Sequence, residues 1–153
     1  MKSTLILITT IISLSLASCG HKTLKTKEDA KDFLESNKFH DNDANISGQS
    51  GGKLKSNFSL SFSNGNVQID NESFSYTISE KMDGRPGYQY FNGYMIEFCG
   101  SKRYAYGGCI KCYLSSGLKS NGDKEEDGSS LFIKGDYIDA YFSYTSKTAI
   151  IKK

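Results

Sequence analysis

The tightest constraint on the fold lies between Phe58 and Ile69. Phe58, Leu60 and Phe62 alternate with serines, Asn64-Gly65 interrupts, and Val67 and Ile69 resume the alternation. A period of two places every second side chain on one face, as a strand does and a helix does not. Asn-Gly accepts the left-handed backbone of a tight turn, so this stretch predicts a β-hairpin. The same period recurs at Phe74, Tyr76 and Ile78. Tyr88 and Tyr90 lead to Asn92-Gly93, with Tyr94, Ile96 and Phe98 beyond, which predicts a second hairpin turning at Asn92-Gly93. Strand-like runs follow at 103–106, 109–114, 131–134, 137–144 and 148–152. Asp41 to Lys53, Asp83 to Gly87 and Ser120 to Ser130 read as polar loops. One helix precedes them all. Thr26 supplies a cap, Glu28 and Asp29 sit in the first turn, and Ala30, Phe33 and Leu34 share a face before Ser36-Asn37 closes it. The expected fold is mainly β, a single antiparallel β-barrel or sandwich of about eight to ten short strands with one short N-terminal helix. A parallel sheet would need crossover helices, and the sequence has no place for them.

The longest apolar run is Leu5 to Leu16, behind Met1 and Lys2. As a helix it spans about 18 Å, short of the roughly 30 Å hydrocarbon core, and reads as a signal-peptide core. It ends in Leu16-Ala17-Ser18-Cys19, which resembles the lipobox of bacterial lipoproteins. Conventional cleavage after Gly20, with Ser18 and Gly20 as the small residues, is the alternative. The resemblance implies removal of residues 1–18 and a diacylglyceryl group on the Cys19 thiol. Residues 19–25 then form a lipid-anchored tether and 26–153 a β-rich globular domain. Two or more acyl chains hold a protein on a membrane essentially permanently. The address expected is the bacterial cell envelope. Acidic residues directly after the lipid cysteine mark surface export in some bacteria, and aspartate after it marks inner-membrane retention in enteric ones. Neither is present, so an outer-membrane position facing the periplasm is favoured.

Charge narrows the partners. The 19 Lys and Arg against 17 Asp and Glu are near balance, and Lys2 leaves with the signal. A nucleic-acid binder should carry a strongly basic face, so none is expected as partner. His21, Lys22, Lys25 and Lys27 read as a solvated linker beside the anchor. Besides the membrane, the partners open to such a module are a small apolar molecule, a glycan or an envelope protein. No cofactor is called for.

Apart from Cys19, the cysteines are Cys99, Cys109 and Cys112. Export exposes them to oxidising conditions, so one disulfide is expected, its pairing open. Cys109-Ile110-Lys111-Cys112 has thioredoxin spacing, but its flanks read as strand instead of the helix N-terminus that lowers a thiol pKa. A zinc site lacks a fourth ligand, since His21 and His40 lie far upstream. Asp123, Glu125, Asp127 and Gly128 open like a calcium loop, yet Lys134 stands where the bidentate Glu belongs. Asp41, Asp43 and Asn45 alternate similarly, but Ile46 replaces the required glycine. Two histidines leave little for a Ser-His-Asp or Cys-His system. Of the acids in strand-like runs, Glu97 is expected to face water. Asp139 shares a face with Tyr137 and Tyr141, opposite Ile138, Ala140 and Phe142, and solvent exposure is expected there too. No catalytic or metal residue is assigned. An envelope enzyme working through Cys109 and Cys112 or a carboxylate pair is the alternative, as is an inhibitor of an extracellular enzyme. The binding candidates are the dense tyrosines Tyr88, Tyr90, Tyr94, Tyr104 and Tyr106, because tyrosine offers a flat apolar face with a polar tip.

Overall fold

The computed structural model describes residues 23–47, 53–85, 88–105, 107–119, 121–124, 128–135 and 137–147. The expected signal peptide, Cys19, Tyr106 and the run at 148–152 lie outside them. Helix α1 (Lys27–Ser36) opens the domain. Thr26 Oγ1 accepts from the Asp29 N–H at 3.1 Å, and Asp29 accepts from the Thr26 N–H at 3.0 Å. This reciprocal cap satisfies donors that a helix start leaves orphaned. Ala30, Phe33 and Leu34 form its buried face, as their spacing predicts.

The strands are β1 (Asn37–Ser47), β2 (Lys53–Ser63), β3 (Asn66–Ile69), β4 (Glu72–Ile78), β5 (Met82–Arg85), β6 (Tyr88–Cys99), β7 (Cys109–Ser115), β8 (Leu131–Lys134) and β9 (Ile138–Ser146). A short helix, α2 (Lys102–Ala105), sits between β6 and β7. All pairings are antiparallel, and the ring β1-β2-β3-β4-β6-β7-β8-β9 closes back on β1. Of the two architectures open to the sequence, the fold is thus a closed eight-stranded barrel, with β5 as an extra strand. β5 continues the line of β4 along β6: Ile78 pairs with Ile96 and Met82 with Gly93. Closure leaves no long unpaired edge in the ring.

Four local expectations are corrected. Asp83 to Arg85, expected as loop, lie in β5, paired with β6. Asp41 to Ser47 is strand, because a bulge between Asp41 and Ala44 shifts the register and hides the alternation. The run at 103–106 is helical over Lys102–Ala105. Asn92-Gly93 is not a turn but the interior of β6, held between Met82 on β5 and Ser115 on β7. A Cβ on Gly93 would stand 2.0 Å from the Leu114 carbonyl oxygen and 2.9 Å from the Phe91 ring, so the glycine serves close approach. The turn at Asn64-Gly65 is as expected, with φ of 49° and 76°.

Inside, Phe39, Phe58, Leu60, Phe62, Ile69, Tyr94, Ile96, Phe98, Leu114 and Leu131 are almost fully buried and fill the barrel. Outside, β2 to β4 present Lys55, Asn57, Ser59, Asn66, Gln68, Ser73 and Ser75 to solvent. Apolar inside and polar outside is the reverse of a membrane-spanning barrel. Among the described residues no helix is long and apolar enough to cross a membrane.

Strand directions define two mouths. At one, α1 lies across the barrel with the Asn64-Gly65 turn and the end of β7. Glu35 Oε1 accepts from the Gly65 N–H and the Tyr76 hydroxyl, both at 3.0 Å. Leu24 is buried and donates its N–H to the Ser116 carbonyl at 2.9 Å, fixing where the chain enters. At the other mouth, α2 covers the opening. The Tyr104 ring packs edge-on against Phe58 at 5.0 Å, and its hydroxyl donates to Asp70 at 2.5 Å. Arg103 reaches the same carboxylate at 2.8 Å.

Candidate functional site

The expected tyrosine cluster divides. Tyr94 points inward with 1 % of its surface exposed and is core, not a binding residue. Burial, then the carboxylates of Asp29, Glu28 and Glu80, raise its pKa. Tyr104 is part of the α2 plug; burial first, then the Asp70 hydrogen bond, push its pKa up to about 12. Tyr88 and Tyr90 open β6, but their side chains lie outside the description, as does Tyr106.

A different set is exposed. Among the described residues the large apolar side chains open to solvent are Tyr137 (46 %), Tyr141 (59 %) and Tyr144 (41 %), all on or beside β9. Tyr144 flanks α1, edge-on to Phe33 at 5.0 Å. Tyr141 belongs to a row that register builds across the outer face: Met95, Tyr113, Phe132 and Tyr141 are successive cross-strand partners. Tyr113 stacks on Phe132 at 5.7 Å and Phe132 on Tyr141 at 5.8 Å. Phe91 stands edge-on to the first two, so Tyr141 is the exposed end of a rigid stack. The Tyr141 N–H donates to Asp41 at 2.8 Å, which ties the row to the bulge in β1.

Below the row, β7 and β8 part, because their pairing covers only Cys112 to Leu114. The gap is a shallow cleft of about 230 Å³ floored by Ile110, Ile133 and Ile138 and rimmed by Lys111, Lys134 and Tyr137. Sequence reasoning passed over this face, although the signal was present. Tyr137 and Tyr141 alternate opposite an apolar set, and two large aromatics on the outer side of a strand have no core to enter.

The cysteines resolve as one bridge. Cys99 and Cys109 are direct cross-strand partners on the outer face and are joined in a disulfide. Cys112, three residues on in the same strand, faces inward and is fully buried. Opposite faces of one strand cannot join Cys109 to Cys112. Burial alone drives the Cys112 thiol far above its ordinary pKa, a setting in which cysteine is inert. The Glu97, Cys99 and Cys109 ligand atoms lie within 4.8 Å of one another, but the bridge occupies both sulfurs. His40 lies on β1, diametrically opposite β6 in the ring.

The described acids make internal contacts. Asp41 accepts from the N–H groups of Asp43 and Tyr141, both at 2.8 Å, and Asp43 pairs with Lys55 at 2.8 Å, so their oxygens stitch the bulge. Asp123 bonds Asn121 at 2.7 Å, while Glu125 and Asp127 lie outside the described residues. Glu97 pairs across strands with Lys111 at 3.7 Å, and Asp139 with Lys134. Asp139 is less exposed than expected, with 16 % of its side chain accessible and Oδ1 buried without a hydrogen-bond donor. Glu97 on β6 and Asp139 on β9 do not face each other across a cleft. What remains is a surface suited to recognition: a stacked aromatic end, an apolar cleft and ammonium groups at its rim. Comparison with family models, curated proteins and solved structures finds no match to the chain.

Proposed function

We propose that this is a lipid-anchored protein of the bacterial cell envelope, held at Cys19 on the outer membrane facing the periplasm. In this reading it is a non-catalytic module that binds a protein partner through the outer face of β7 to β9. The observation that carries the choice of partner is the packing of the barrel. Among the described residues its interior is filled by buried phenylalanine, leucine and isoleucine side chains, while on the outside Tyr141 stands exposed and Tyr137 lines a cleft. Rigid aromatics next to a small apolar depression are what a protein interface uses as anchors. The lipobox and the Cys99–Cys109 bridge support the address, since disulfides persist in oxidising compartments. The thiol-redox alternative is weakened by the inward Cys112.

Three measurements test the parts. The Cys19→Ala variant keeps its signal and takes up no labelled lipid; normal labelling would rule the anchor out. A soluble form beginning at Thr23, purified from the envelope, runs in native mass spectrometry at the mass of the bare chain. Photo-cross-linking at Tyr141 in cells gives a discrete protein adduct that the same probe at Ser59 does not. A stoichiometric small molecule riding with the chain, or equal adducts at both positions, would overturn the reading.

A further inference from the structure

We infer that the mouth covered by α1 is the surface the domain turns to the bilayer, and that the α2 mouth, with the β7–β8 cleft, is held away from it. This rests on the lipidation of Cys19 proposed above. The structure pins the start of the domain: Leu24 is buried, and its N–H is bound to the Ser116 carbonyl at 2.9 Å, on the α1 side. From Cys19 to Leu24 the chain reaches about 17 Å fully extended. As a flexible coil it spans about 12 Å. From Ser116 down β7 to Cys109 is about 23 Å along the strand, or about 17 Å along the axis at the usual barrel tilt, and α2 lies beyond. With the α2 mouth on the membrane, a fully stretched leash would only just reach Leu24 and a coiled one of about 12 Å would fall short, whereas the α1 mouth needs no stretching.

The α1 surface suits that position without entering the bilayer. Lys27, Glu28, Lys31 and Asp32 are exposed on it, charges of both signs that sit in a headgroup layer and are excluded from hydrocarbon. The cleft rimmed by Lys111, Lys134 and Tyr137 opens near α2, on the far side from the leash. A partner therefore approaches the module from the compartment it faces, not from within the membrane plane.

Lipidated full-length protein in vesicles carrying a headgroup nitroxide lipid gives the test, with a fluorophore on Ser63→Cys near the α1 mouth or on Ser73→Cys near the other. Quenching at residue 63 should exceed that at residue 73 at least threefold. A flexible twenty-residue insertion between Lys22 and Thr23 should bring the two together. Equal or reversed quenching with the native leash would overturn the orientation, as would a difference that survives the insertion. If the protein carries no lipid and does not float with vesicles, it is the anchor that has failed, which is a separate result.

Discussion

At the α1 mouth the lid is a ten-residue helix with three buried apolar side chains and a satisfied N-terminus. At the α2 mouth it is four residues, of which Tyr104 and Ala105 are buried. Four residues form barely one helical turn, whose nucleation is unfavourable unless something else fixes it. Here the fixing is covalent: the Cys99–Cys109 bridge closes the hairpin from which α2 hangs. The difference shows two ways to seal a barrel end. Where a lid brings enough apolar surface, burial at roughly 25 cal/mol per Å² holds it; where it does not, a cross-link limits how far it can stray.

The largest effect should come from the lid that relies on packing. Phe33 meets Phe39 at 5.9 Å and Tyr144 at 5.0 Å, so Phe33→Ala leaves a cavity between helix and barrel. We expect a loss of about 3–4 kcal/mol in denaturant unfolding. Replacing both cysteines by serine should cost less, about 2.5 kcal/mol, because the loop closed is only 10 residues long. A cysteine variant more destabilised than Phe33→Ala would reverse the comparison. Hydrogen exchange sharpens it: loss of the bridge should free α2 and the ends of β6 and β7 while α1 keeps its protection.

The mouths should also part on the pH axis. Glu35 is held below its ordinary pKa, first by the Gly65 N–H, then by the Tyr76 hydroxyl and Lys31, against an opposing effect of burial. A depressed carboxyl stabilises fully above its unfolded pKa of about 4.5, and that stabilisation is lost as pH falls through the lower folded value. Acid should therefore loosen the α1 mouth first. Glu35→Gln should remove about 1.5 kcal/mol at neutral pH and flatten this part of the acid limb. An unchanged acid limb would show that Glu35 does not couple helix to barrel.

Much of this contrast was legible in the residues. Thr26, Asp29 and the spacing of Ala30, Phe33 and Leu34 announce α1, because capping and helical period are local. Asn64-Gly65 announces the β2–β3 turn for the same reason. Asn92-Gly93 carries the same dipeptide and misleads, since its glycine answers a tertiary demand, the approach of Leu114 and Phe91, that no short window contains. The bulge at Asp41 likewise satisfies Tyr141, a hundred residues away. Closure was out of reach, because it depends on β9 meeting β1 and β4 meeting β6, pairings between distant segments. The burial of Tyr94 and Tyr104 was hidden for a related reason: density along the chain says nothing about which side of the wall each ring is on. Tyr94 and Tyr141 differ by that alone.

The smallest effect belongs to the α2 mouth. Tyr104 is pushed up to about 12, chiefly by burial and then by its bond to Asp70. A raised phenol stabilises the folded state fully below its unfolded pKa of about 10 and loses that contribution as pH climbs through the folded value, so alkali should loosen α2 as acid loosens α1. Tyr104→Phe keeps the ring against Phe58 and removes only the hydroxyl, leaving Arg103 still paired with Asp70. We expect a loss of about 1 kcal/mol. Tyrosinate absorbance should lose the group titrating near 12, while Tyr76, raised by burial and by Glu35 at the opposite mouth, still titrates late. If the late titration is unchanged, Tyr104 is open to solvent, and the bridge with the Arg103–Asp70 pair would have to keep α2 seated.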